Sequence, residues 1–169
     1  ALVDVRKIKT ALQETGLKAS VCGAFGPSRD LTNSSLKVQE NGLNYIESCL
    51  DICSELGASF LGGPMYAAVG KARMLPQDER KKEWALAVKN LQKVCAMAEA
   101  RDLKIALEPL NRFESDLVNT AEDAVRLVED INHPAAQIML DSFHMSIEEK
   151  NIEKAILCAG DKLVHLQVA

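Results

Sequence analysis

No run of five or more basic residues occurs in this sequence, and its formal net charge is −4. A surface that binds nucleic acid needs the opposite sign, so a polyanion partner is not expected. There is also no apolar run of membrane length and no leader pattern at residue 1. The expectation is therefore a soluble, cytoplasmic protein with no membrane partner. Paired cysteine spacings are missing as well: Cys22, Cys49, Cys53, Cys95 and Cys158 are odd in number and spaced for neither a zinc site nor a redox dithiol. Cys49 and Cys53 join Ile46, Leu50 and Leu56 on one helical stripe and read as buried small hydrophobes. Cys22 stands near the end of a strand, where it is either a packing residue or a candidate pocket residue. The run Gly26-Pro-Ser-Arg-Asp lacks the glycine spacing of a nucleotide loop and reads as a rim loop.

What is present is enough apolar material for one core: 169 residues, 47% hydrophobic, read as a single domain over 1–169. Helical spacing marks residues 1–15, 36–55 and 77–101, a helix through Ala124, Leu127, Val128 and Ile131 after the capping pair Thr120 and Asp123, and a short one through Ile152, Ala155 and Ile156. Strand patterns mark residues 18–25, 59–63, 103–108, 136–141 and 162–168. Five strands with a helical connection between each pair require a parallel α/β sheet with right-handed crossovers. An open doubly wound sheet and a piece of a (β/α)8 barrel both fit. A helix without a strand before it, and a strand without a helix after it, favour a TIM-barrel segment truncated at both ends, since a whole barrel takes about 250 residues. Flanking strands left as open edges would promote self-association, so a homo-oligomer is an expected state.

The chemistry gathers where strands end. In residues 103–108 an apolar run stops abruptly at Glu108, with Ile105 and Leu107 on one face and Ala106 and Glu108 on the other. Pro109 cannot donate to the ladder, so the chain turns out into a loop bearing Asn111, Arg112 and Glu114. Residues 136–141 end the same way, with Asp141 sharing a face with Met139. The last strand sets Leu163, His165 and Gln167 against Val164, Leu166 and Val168. One acid after a strand is commonly a cap or a solvated loop residue. Acids and a histidine at the same rim of successive units are the pattern of ligands for a hard metal. The long connection 64–76 carries Met65 and Tyr66, whose apolar groups suggest a pocket wall or partial burial for packing. His133, beside Pro134, reads as a loop residue.

Glu-Pro-Leu-Asn-Arg-Phe-Glu at 108–114 and Leu-Asp-Ser-Phe-His-Met-Ser-Ile-Glu-Glu at 140–149 resemble the D-tagatose 3-epimerase and D-psicose 3-epimerase family, ketose epimerases of the xylose-isomerase-like barrel superfamily. Cys22-Gly23 and Gly63-Pro64 with Tyr66 extend the resemblance over nearly the whole chain. It implies a divalent metal cofactor, Mn(II) foremost with Co(II) or Mg(II) as alternatives, held by Glu108 and Asp141. Glu108 is implied as the catalytic base, and Glu114, His144, His165, Cys22 and Tyr66 as substrate-binding. Where the family carries a third, histidine ligand on the next strand, this sequence has Gln167, so Gln167 is the expected replacement. The family's fourth ligand, a glutamate, belongs to a later strand.

The implied reaction is chemically reasonable. A proton next to a carbonyl leaves at neutral pH only if the enediolate that forms is stabilised, and a dication does this. A related sugar-phosphate or hydroxy-carbonyl isomerase on the same barrel, or a catalytically impaired sugar-binding homologue, fits the same residues. An endonuclease-IV-like enzyme does not, because three histidines are too few for its metal cluster.

Overall fold

The computed structural model describes residues 4–169; the part of the expected first helix at residues 1–3, including Leu2, lies outside them. Helix α1, Val5–Thr15, begins where the Asp4 carboxylate accepts the Lys7 amide and ends at Gly16. Strand β1, Val21–Cys22, is much shorter than the expected 18–25. A tertiary contact accounts for its early end: the Ala24 amide donates to the Tyr45 hydroxyl at 3.0 Å and leaves the ladder. There follow α2, Leu36–Leu56; β2, Phe60–Gly63; α3, Gln77–Glu99; and β3, Lys104–Leu107. Helix α4, Ala121–Ile131, opens on the full capping box of Thr120 and Asp123. Strand β4, Ala136–Asp141, runs directly into α5, Ser142–Glu148, a helix that the sequence pattern did not announce; α6, Ile152–Ala159, and β5, Leu163–Gln167, complete the chain.

All neighbouring strands pair in parallel, in the order β1-β2-β3-β4-β5. Sequence order is spatial order, as a barrel segment requires and a doubly wound sheet forbids. Curvature is visible in one contact: Phe60 on β2 and His165 on β5, two strands that are not neighbours, bring their rings to a centroid distance of 5.3 Å.

The convex face carries the core. Leu61, Ile105, Leu107, Ile138 and Leu140 are at most 1% exposed and belong to one apolar cluster with Ile46 and Leu50 of α2, Leu91 and Val94 of α3, and Leu127 and Ile131 of α4. Each such side chain contributes about 1.5–3 kcal/mol by leaving water. The concave face is packed by size alternation. Gly62 pairs with Ala106 on the neighbouring strand, and a Cβ at Gly62 would stand 2.6 Å from the Met139 sulfur. The two small residues make room for Met139, and the rim acids lie in the layer above it.

Between Ile138 and Met139 the register of β4 and β5 shifts, so Leu163 pairs with Ile138 but His165 with Met139 and Gln167 with Asp141. The shift separates Leu163 from the alternation expected for this strand. Above the sheet, a half-buried lysine ties the loops together. Lys71 Nζ lies 3.0 Å from Asp30, 3.1 Å from Glu83 and 2.6 Å from the Thr32 hydroxyl. The backbone at Lys71 also bridges to Ser115, and the Gly70 amide donates to the Glu114 carbonyl.

Candidate active site

Glu108 stands one residue beyond β3 and its amide still donates to the Gly63 carbonyl, at 3.3 Å, so the ladder fixes its backbone. Gly63 permits this rim: its φ of 123° is open chiefly to glycine, and a Cβ there would lie 3.0 Å from the Gly23 carbonyl. The Glu108 residue is 6% exposed. Burial first, then the charges of Asp141 and Glu114, push its carboxyl up to about 7. Acids held this close repel one another, and a cation between them would relieve that repulsion.

Asp141 ends β4 and caps α5 at once. Its Oδ1 accepts the Phe143 amide at 2.8 Å, which orients the carboxylate. His144, in the first turn of α5, is 8% exposed and its ring meets Phe143 edge-on at 5.2 Å. One ligand-capable atom from each of Glu108, Asp141 and His144 falls within 4.8 Å of the others. Two carboxylates are hard donors of the kind that Mg(II) and Mn(II) accept, so the donor chemistry fits a divalent ion.

The other expected residues divide. Gln167 is half-buried and in register with Asp141, on the same rim. Glu114 accepts the Asn111 side-chain amide at 2.9 Å and contributes charge to Glu108. Cys22 lies on the Glu108 side of the concave face: desolvation, then the Glu108 charge, raise its thiol pKa. His165 sits one layer deeper than the rim acids, beside Met139, with its ring against Phe60. Tyr66 takes the packing alternative and, contrary to the substrate-binding role that the resemblance implies, is closed off: it is 1% exposed, and its hydroxyl is taken by the carbonyls of Glu108 and Val118. His133 is the loop residue expected, with Nδ1 accepting the Ala135 amide. A surface cavity of about 480 Å³ beside Trp84, between α3 and α4, contains none of Glu108, Asp141 and His144.

Asn111 is the residue to which the sequence assigned no role. Its side chain bridges Glu114 and His144, and its backbone amide meets the same imidazole. The one signal available was its place three residues before an acid in a loop that follows another acid. Next to it, Arg112 grips Glu148 of α5 through its amide and its guanidinium at 2.6–2.9 Å, which holds the loop to the helix.

A family model described as a xylose isomerase-like TIM barrel matches residues 3–169. An L-ribulose 3-epimerase of Methylomonas sp. is 30% identical over 166 residues, covering 98% of this chain and 57% of that enzyme. For a D-psicose 3-epimerase of Ruminiclostridium cellulolyticum the identity is 30% over 168 residues, with 97% of this chain and 56% of that one covered. The crystal structure of a D-allulose 3-epimerase from Methylomonas sp. is similar with a TM-score of 0.91 at 30% identity, over 99% of this chain and 57% of that one. The chain thus spans a little over half the length of the curated relatives it matches.

Proposed function

We propose that this chain, which belongs to the xylose isomerase-like TIM barrel family, carries part of the active site of a metal-dependent ketose 3-epimerase. The observation behind this reading is the buried Glu108 beside Asp141 at the carboxyl rim, in a chain similar to enzymes named 3-epimerases. Glu108, Asp141 and the Gln167 amide oxygen would hold the divalent ion, Mn(II) foremost and Co(II) or Mg(II) as alternatives. Bound there, it offsets the negative charge that develops on the substrate's oxygens.

Glu108 takes the C3 proton. The C–H pair moves toward C2, the carbonyl oxygen gains the charge, and the proton rests on a Glu108 oxygen. Glu114 and His144 hold substrate oxygens, which keeps C3 within reach of that carboxylate. Inversion also needs a proton delivered from the opposite face, and the resemblance assigns that to a glutamate on a later strand. Cytoplasmic location remains part of the proposal; among the described residues no helix is long and apolar enough to cross a membrane.

The test is incubation of the full-length protein with a panel of ketoses in D₂O, followed by NMR of C3. Deuterium at C3 of the epimer is the expected result, and Glu108→Gln should lower the rate by about 10²- to 10⁴-fold. Epimerisation without deuterium at C3 would argue against proton abstraction into an exchangeable site. Turnover of only a hydroxy-aldehyde or a sugar phosphate would make the protein a sister isomerase.

A further inference from the structure

We infer that Asn111 is a positioning residue that locks His144 in the tautomer with its proton on Nε2, making His144 a hydrogen-bond donor to the substrate and not a ligand of the metal. The inference deepens the epimerase reading and rests on it only for what accepts that proton.

The Asn111 backbone amide lies 3.1 Å from His144 Nδ1. A backbone N–H can only donate, so Nδ1 must present its lone pair. The side chain of Asn111 repeats the constraint. Its Oδ1 accepts the Phe113 amide at 3.0 Å, which fixes which end of the carboxamide is the NH₂ group. That NH₂ then lies 2.9 Å from Glu114 Oε1 and 2.9 Å from the same Nδ1. Two donors converge on one ring nitrogen. A neutral imidazole carries one N–H, which leaves Nε2 as its place.

This pattern is the reverse of a metal-ligating histidine, whose far nitrogen donates to a carboxylate or carbonyl so that the near one can offer a lone pair. His144 comes within 4.8 Å of the two acids, but with the wrong atom for coordination. Its Nε2 is 3.9 Å from Glu108 Oε1, beyond hydrogen-bond range, so Glu108 does not consume the proton. A sugar oxygen placed over Glu108 and Asp141 is the acceptor that this donor fits. The grip of Arg112 on Glu148 maintains the arrangement, because it fastens the residue after Asn111 to the helix that carries His144.

The experiment is ¹⁵N NMR of the histidine ring nitrogens in the full-length protein, without metal and with Mg(II), which is diamagnetic. Nδ1 of His144 should show a pyridine-like shift and Nε2 a pyrrole-like one, unchanged by Mg(II). Asn111→Asp keeps the backbone donor but sets a carboxylate oxygen against Nδ1 in place of the NH₂ group, so part of the population should shift to the Nδ1–H form, a signature that loosened packing alone would not give. Calorimetric titration with Mg(II) supplies a second readout: His144→Ala should leave affinity unchanged, whereas a ligand supported by Asn111 would make Asn111→Asp cost about 10- to 100-fold. A pyrrole-like Nδ1 in the unaltered protein, or loss of Mg(II) affinity in His144→Ala comparable to that in Asp141→Asn, would overturn the inference. Neither measurement needs turnover. A protein that shows the expected tautomer but epimerises no ketose would refute the epimerase reading and leave the tautomer assignment standing.

Discussion

The Tyr66 hydroxyl lies 3.0 Å from the main-chain carbonyl of Glu108 and 3.1 Å from that of Val118. One buried side chain therefore grips both ends of the loop that carries Asn111, Arg112 and Glu114. The loop has its own clamp in Asn119, whose amide donates to the carbonyls of Leu110 and Ser115. The proposed base consequently stands on a rigid support, although it lies outside regular secondary structure.

Tyr66→Phe keeps the ring and removes only the hydroxyl. The Glu108 and Val118 carbonyls lose the proton they share, although Val118 keeps the Leu110 amide, for an expected cost of about 1–3 kcal/mol, read as a lower urea midpoint. Metal affinity should weaken with it, because the Glu108 backbone is released. Unchanged stability would mean that the hydroxyl contributes nothing to the loop.

Glu108 makes the metal-free protein sensitive to pH. Its carboxyl ordinarily titrates near 4.5 but is raised to about 7 in the fold, chiefly by burial. Between those values the folded state binds the extra proton, so stability is fully present below about pH 4.5 and is lost as pH rises through about 7. The side chain is only 7% exposed, and the loss is at most about 3 kcal/mol. Denaturant midpoints in EDTA should fall between pH 5 and 8, and Glu108→Gln should flatten that slope. Divalent ion should restore stability most at the alkaline end.

The rim acids were legible because an acidic residue that interrupts an apolar alternation is conspicuous, at Leu107-Glu108 and again at Leu140-Asp141. Helix α5 was not, since it is 7 residues long and starts directly after the last residue of a strand. Asp141 has to be seen capping Phe143 before Ser-Phe-His-Met reads as helix. The sequence pattern carries β1 too far because its stop is set by the Tyr45 hydroxyl, 21 residues away from Ala24. Pocket wall and packing stay undivided for Tyr66 for a similar reason: a loop tyrosine gives no sign in sequence that carbonyls 42 and 52 residues on will absorb its hydroxyl. The depth of His165 depends on a register shift between two strands, which no local pattern encodes.

Lys71→Met tests the ion network over the sheet. The ammonium is 15% exposed and faces Asp30 and Glu83, whose side chains are 5% and 19% exposed. Removing it leaves two largely buried acids without their shared countercharge, although Arg73 still pairs with Glu83. The expected loss is about 3–5 kcal/mol, measured by denaturant unfolding. Adding Asp30→Asn should recover part of it, because the more buried acid is then neutral. A double variant no more stable than the single one would mean that the penalty lies elsewhere.

Gln167→His addresses the ligand set. Gln167 is the register partner of Asp141 on the adjacent strand, and its amide oxygen is a neutral, hard donor. An imidazole at this position favours the later first-row metals, whose affinity for nitrogen donors rises along the series from Mn(II) to Co(II), and offers Mg(II) little. In the full-length protein the substitution should tighten binding of Co(II) most, of Mn(II) less and of Mg(II) least, as read by competitive titration with a chelating dye. The unaltered protein should correspondingly discriminate weakly among the three. An equal effect on all of them would mean that residue 167 does not reach the ion, and the site would then have to draw its remaining donors from elsewhere on the rim.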